Sequence, residues 1–134
     1  MAVRRKLIAA ACGLAVTAPG FAAAQTENYP NRAVRLIVPF PPGGSVDLIA
    51  RLLAPKLAEN LGQQIVVDNR SGASGNIGNE LAARAAPDGY TLLINTVPLV
   101  VNAYMYSRLP YDVLNDFAPI TLVSSSPSLL AVHP

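Results

Sequence analysis

Short apolar runs alternate along the chain with longer segments of helical spacing, and that alternation predicts a layered α/β architecture. Residues 35–40 (RLIVPF) are too few for a helix and rich in branched side chains, so they read as a strand. The prolines and glycines of 41–44 form a sharp loop. From 45 to 61 the apolar positions Val46, Ile49, Ala50, Leu53 and Leu57 make the stripe of an amphipathic helix, with Gly62 as its stop. Pro55 falls inside that helix, where its missing N–H is expected to kink or divide it. Residues 64–69 (QIVVDN) predict a second strand, and 70–75 a glycine- and serine-rich loop. Residues 76–86 predict a second helix burying Ile77, Leu81 and Ala85. Pro87-Asp88-Gly89 has the chemistry of a turn, and residues 90–95 (YTLLIN) predict a third strand.

The order β-α-β-α-β argues for a parallel sheet with helices on both faces and right-handed crossovers. Beyond Thr96 the pattern loosens through prolines at 98, 110 and 119, and residues 120–123 and 129–132 read as two further buried strands. The chain stops at Pro134, two residues past the last of them, so a closing element is expected elsewhere.

The first 24 residues have a different logic. Arg4, Arg5 and Lys6 precede an apolar stretch over 7–16, then Pro19, Gly20 and the alanines Ala22, Ala23 and Ala24. That order is a secretory signal peptide, with cleavage expected after Ala24 and a periplasmic destination. The apolar stretch falls short of the ~20 residues that span a bilayer. Lipidation at Cys12 would require an unusually cramped apolar segment, because five residues separate it from Lys6. The formal charge of +2 includes those three basic residues; without them 7 Lys+Arg stand against 8 Asp+Glu. The basic balance therefore reports export and gives no reason to invoke nucleic acid. The one cysteine, Cys12, leaves with the signal, which removes disulfide and thiol chemistry from the remainder.

In an open parallel sheet ligands bind beyond the carboxyl ends of the strands. The first loop there contains Phe40, Pro41, Pro42, Gly43, Gly44 and Ser45, and leads into Asp47. Its glycines let the amides at a helix start approach an anion that the helix dipole favours, and Ser45 adds a hydroxyl. Asp47 either caps free N–H groups or accepts from a donor on the ligand. In the second loop, residues 68–78, the glycines run G-x-x-G-x-x-G, which is not the dinucleotide pattern. These glycines either contact ligand or let the second helix pack closely on the sheet. Arg70 either meets a ligand carboxylate or makes an ion pair on the surface or between loops.

Little supports catalysis. The one histidine, His133, lies next to the chain end, so a Ser-His arrangement lacks a base, and Ser74 sits in G-A-S-G, not in a nucleophile elbow. One histidine and no remaining cysteine make a poor zinc site, and no cofactor motif appears. Five tyrosines, no tryptophan and no basic groove make no stacking platform for nucleic acid. Binding without chemistry is the reading left.

The run YPNRAVRLIVPFPPGGSVDLIARLLAPKLAENLGQQIVVDNRSGASGNIGNELAARAAPDGYTLLI, continued by LPYDVLNDFAPITLVSSSPSLLAVHP, resembles the Bug-type receptors. These are the periplasmic substrate-binding proteins of tripartite tricarboxylate transporters. The likeness covers residues 29–134 and rests on no single motif. It implies an α/β, periplasmic binding protein type II (Venus flytrap) fold of which this chain holds mainly the N-terminal lobe, a parallel sheet with flanking helices. Its expected layout is a signal peptide over 1–24, part of the first lobe over 25–120, and the start of the crossover between lobes over 121–134.

The resemblance further implies that a small organic acid sits between lobes, its carboxylate held by backbone N–H groups of the first loop. The residues so implicated are Phe40, Pro42, Gly43, Gly44, Ser45 and Asp47. Asn69, Gly72 and Ser74 of the second loop and Thr96 of the third would line the same wall. Thr96-Val97-Pro98 departs from the family pattern in lacking a histidine. Family members are more than twice as long, so this chain is expected to bind weakly or not at all alone and to be marginal as an isolated fold. The function implied is a receptor that delivers a carboxylate to membrane permease subunits. The alternatives are a ligand-sensing module for a membrane sensor kinase, an exported hydrolase completed elsewhere, or a truncated product without function.

Overall fold

The computed structural model describes residues 29–126 and residue 130. The predicted signal peptide, its cleavage site, Cys12 and His133 lie outside the described residues. Three strands, β1 (Val34–Val38), β2 (Ile65–Asn69) and β3 (Thr91–Leu93), form a parallel sheet in the order β2-β1-β3. Val34 pairs with Ile65 and Val38 with Asn69 on one side of β1, while Arg35 pairs with Thr91 and Ile37 with Leu93 on the other. The central strand is the most apolar, because a strand covered on both faces has no solvent side to keep polar. Pro39 ends it: proline has no N–H to continue a ladder.

Alternation along β1 separates the two faces. Val34, Leu36 and Val38 share a buried cluster with Val46, Ala50 and Ala54 of helix α1 (Ser45–Leu61) and with Ile65. Pro39, on the other parity with Ile37, touches Gly78 of helix α2 (Asn76–Ala83). The helices thus cover opposite faces, as two parallel crossovers running in opposite directions require.

Helix α1 has the bounds the apolar stripe predicts, and it stops where Gly62 turns left-handed, φ 68°, donating its amide to the Ala58 carbonyl at 2.9 Å. The expected division at Pro55 does not occur. Pro55 is exposed on this helix, so the carbonyl of Arg51 that it leaves without a donor can be met by water.

Helix α2 departs further from expectation, ending three residues early and turning a different face inward. Ile77, expected in the core, is 52% exposed, whereas Asn76, Gly78 and Asn79 are buried. Close approach is the cause. A Cβ at Gly78 would lie 2.7 Å from the Pro39 Cβ and 2.8 Å from the Arg70 carbonyl oxygen, so only glycine allows this face against the sheet edge.

Past β3 the chain forms helix α3 (Pro98–Met105), which the loosened apolar pattern did not predict. Pro98 occupies its start, where a missing N–H costs nothing. The strand expected over 120–123 is absent: the segment is irregular, and Leu122 is 82% exposed. A strand needs a neighbouring edge to satisfy its backbone, and none of the described strands pairs with this segment. Of the strand expected over 129–132 only Leu130 is described, and it is exposed. No helix among the described residues is long and apolar enough to cross a membrane.

Candidate functional site

The carboxyl ends of β1, β2 and β3 bring three loops to one edge of the sheet. The β1 loop carries Phe40, Pro41, Pro42, Gly43 and Gly44, and α1 begins at Ser45. The amides of Ser45, Val46 and Asp47 stand in the first turn of α1, where no intrahelical carbonyl exists to receive them. No side chain caps this helix. Gly43 reaches the loop's geometry with φ 84°, and a Cβ there would meet nothing within 4 Å, so its glycine serves conformation and not space.

Asp47 lies beneath this loop, nearly fully buried. Its carboxylate accepts from the Gly43 amide at 2.8 Å, from Arg51 Nε at 2.9 Å and from Asn69 Nδ2 at 2.9 Å. Asn69 also donates to the Phe40 carbonyl at 3.2 Å and accepts from the Arg51 guanidinium at 3.2 Å. The bond from Arg51, then those from the Gly43 amide and Asn69, lower the Asp47 carboxyl to about 2. Asp47 and Asn69 thus spend their polar atoms on holding the loop; Asp47 accepts from the Gly43 amide before the helix and does not cap the free N–H groups of the first turn. Arg51, absent from the sequence-derived set, completes this arrangement; its i, i+4 spacing from Asp47 is the signal that could have found it.

The second loop wraps the start of α2 in an uncommon backbone. Gly72, Ala73, Ser74 and Gly75 all have positive φ, at 131°, 46°, 56° and 90°. The left-handed region costs a non-glycine residue roughly 1–2 kcal/mol, and Ala73 and Ser74 occupy it in succession. The Gly75 amide closes the turn on the Gly72 carbonyl at 2.9 Å. Together the first two loops and Pro98 of α3 enclose an open cleft of about 430 Å³, lined by Phe40, Gly72, Ser74 and their neighbours.

The cleft therefore gathers Phe40, Gly72 and Ser74. Pro42, Gly43 and Gly44 are exposed further along the β1 loop, Ser45 is exposed at the start of α1 and Thr96 at the start of the third loop, and none of these lines the cleft. Arg70 makes the ion-pair alternative: its Nε donates to Asp68 at 2.9 Å, and Arg35 reaches the same carboxylate. Among the described residues no group of three His, Cys, Asp or Glu is placed to hold a metal ion.

Sequence comparison places the chain in a family. Residues 49–134 match the tripartite tricarboxylate transporter family receptor, TctC. The chain belongs to that family. BugT of Bordetella pertussis is 44% identical over 93% of this chain and 39% of its own length. A UPF0065 protein from the tcbD-tcbE intergenic region of Pseudomonas sp. (strain P51) is 45% identical over 97% of this chain and 39% of its own length. The chain thus spans about two fifths of the length of these TctC-family relatives.

Solved structures agree on the fold. MatC from Rhodopseudomonas palustris with bound malate is 36% identical, with a TM-score of 0.67 over 71% of this chain and 33% of that one. The R. palustris protein Rpa4515 with adipate is 45% identical, with a TM-score of 0.61 over 64% of this chain and 29% of that one. A periplasmic transporter at 55% identity has the same TM-score, 0.61, over 63% of this chain and 29% of that one. The parallel sheet and its flanking helices have the periplasmic binding protein fold, and the family is one of solute-binding receptors.

Proposed function

We propose that this chain supplies the first lobe of a periplasmic receptor that captures a small organic acid and delivers it to the membrane permease subunits of a tripartite tricarboxylate transporter. Residues 25–120 belong to that lobe and 121–134 lead towards a second. The observation that carries the reading is the set of first-turn amides at Ser45, Val46 and Asp47, which have no partner among the described residues, at the helix that follows the cleft-lining Phe40 and Pro41. A carboxylate there accepts from amides that have no other partner among the described residues, and the helix dipole favours its charge. Gly43 and Gly44 let it approach, Ser45 donates its hydroxyl, and Asp47, Asn69 and Arg51 hold the loop so that little order remains to be acquired on binding. Arg51 compensates the negative charge of Asp47 beneath the anion.

Phe40 and Pro42 flank the bound group, and Gly72, Ser74 and Thr96 complete the wall. No covalent step is involved. Affinity grows when a second lobe closes on the same ligand, because only contacts made in the closed state shift the equilibrium towards it. Malate and adipate, bound by relatives, are the ligands to test first.

Titration of the isotope-labelled chain with malate and with adipate, followed by amide shifts, tests this. Weak, high-concentration shifts centred on Ser45, Val46 and Asp47, lost with the corresponding dimethyl esters, are expected, because only one lobe meets the ligand. Shifts that bypass these amides, or that persist with the esters, would sink the assignment.

A further inference from the structure

Side chains from a later part of the chain bond to the left-handed turn over Ala73 and Ser74. Asn102 of α3 is buried, and its Nδ2 lies 3.0 Å from the Ser74 carbonyl oxygen and 2.8 Å from Asn76 Oδ1. The Tyr106 hydroxyl, just past α3, lies 3.3 Å from Ser74 Oγ. Asn76 Oδ1 also accepts from the Tyr111 hydroxyl at 2.6 Å, and Tyr111 in turn accepts from Asn79 at 3.0 Å. Asn95, at the end of the third strand's run, donates to Asn79 Oδ1, and its own Oδ1 accepts the Thr96 amide at 2.7 Å. One continuous polar network therefore joins the second loop, α2, the third loop, α3 and the segment through Tyr111.

α3 is otherwise apolar and poorly buried: Val100, Val101, Tyr104 and Met105 are exposed, and Asn102 is its buried residue. Packing of an apolar stripe does not explain why this helix stays against the loop. The asparagine does, because an amide donor held away from water keeps its carbonyl partner in place.

We propose that Asn102, assisted by Tyr106, is a positioning residue for the cleft: it keeps the Ala73–Ser74 turn left-handed and so sets the wall made by Gly72, Ser74 and Gly75. The direction of dependence follows from the backbone. Alanine and serine leave the left-handed region when nothing restrains them, whereas glycine occupies it without penalty. Release of Asn102 lets the turn relax, and the cleft loses one side. The inference rests on the cleft reading above only for its consequence in ligand binding; the geometric claim stands by itself.

The test compares the full chain with Asn102→Ala, with Ala73→Gly/Ser74→Gly, and with the combination, by residue-resolved amide exchange and by malate and adipate titration. Asn102→Ala is expected to speed exchange at residues 72–76 by about tenfold, the factor that loss of one buried hydrogen bond implies, while β1 amides keep their rates. In the glycine background the same substitution is expected to have a several-fold smaller effect, because glycine no longer needs the restraint. An Asn102 that matters only for general packing would give equal effects in both backgrounds, and that result overturns the proposal, as does unchanged exchange at 72–76. If Asn102→Ala does not fold, recovery of the fold by the two glycines supports the proposal and failure to recover overturns it. Absence of any malate or adipate binding in the parent chain counts against the carboxylate reading alone; the exchange comparison still decides the role of Asn102.

Discussion

Asn69 Nδ2 donates to the buried Asp47 carboxylate at 2.9 Å, and this bond ties the end of β2 to the start of α1. The two residues come from different βα units, and the bond crosses 22 positions of sequence. With the Gly43 amide and Arg51 on the same carboxylate, the β1 loop is held from below by one negative charge.

That charge makes the loop acid-sensitive. The Asp47 carboxyl is depressed from 3.8 to about 2 by Arg51, the Gly43 amide and Asn69, so its folded value lies below its unfolded one. The stability it contributes is full above the unfolded value and is lost as the pH falls from 3.8 through about 2. Urea unfolding midpoints measured between neutral and strongly acid pH should therefore decline in that window, and Asp47→Asn should decline less steeply. Asp68 contributes to the remainder: burial raises its carboxyl, but bonds from Arg35 and Arg70 bring it below the usual range.

Gly78 is the position where α2 meets the sheet edge. Gly78→Ala places a methyl group 2.7 Å from Pro39 Cβ and 2.9 Å from Pro39 Cα, with no flexible side chain to yield. Overpacking of this kind costs about 1–3 kcal/mol, which chemical denaturation would read directly. The neighbouring substitution Ile77→Ala, at an exposed site, should cost well under that; equal costs would mean that α2 packs by another face.

Tyr111 is buried, and its hydroxyl connects Asn76 to Asn79. Tyr111→Phe leaves the buried Asn79 amide donor without this partner, while Asn76 keeps its bond from Asn102, for an expected loss of about 1–3 kcal/mol. The edge-to-face contact of its ring with Phe117, centroids 5.8 Å apart, is kept by phenylalanine, so a null result would show that water replaces the hydroxyl.

At the opposite edge of the sheet, Arg32 stacks 4.2 Å above the Tyr90 ring and pairs with Asp88 at 2.9 Å. Arg32 is largely and Asp88 partly exposed, so Arg32→Ala should cost less than about 1 kcal/mol. The loss should shrink in high salt, as screening requires.

Local pattern was enough for part of this molecule. The bounds of α1, its stop at Gly62, the three parallel strands and the three loops at their carboxyl ends follow from apolar periodicity and glycine conformation, which act within a few residues, and from crossover rules, which need only the order of the elements. The family was legible too, because the likeness is spread along the whole of 29–134. The sequence left the role of Asp47 open between capping and ligand contact and did not show its tie to the β1 loop: Arg51 lies one turn away, but Asn69 arrives from another strand.

Tertiary contact determined the rest. The apolar period of residues 76–86 points to Ile77, yet the close approach of Gly78 to Pro39 turns the asparagine face inward. Asparagines do not look like a core until Tyr111, Asn95 and Asn102 meet them, and those partners lie 16 to 35 positions away. Residues 120–123 have strand composition, but the segment pairs with neither outer strand of the described sheet. Composition can prescribe which backbone shapes are easy, but a buried polar group or a strand edge is satisfied only by a partner brought to it in space.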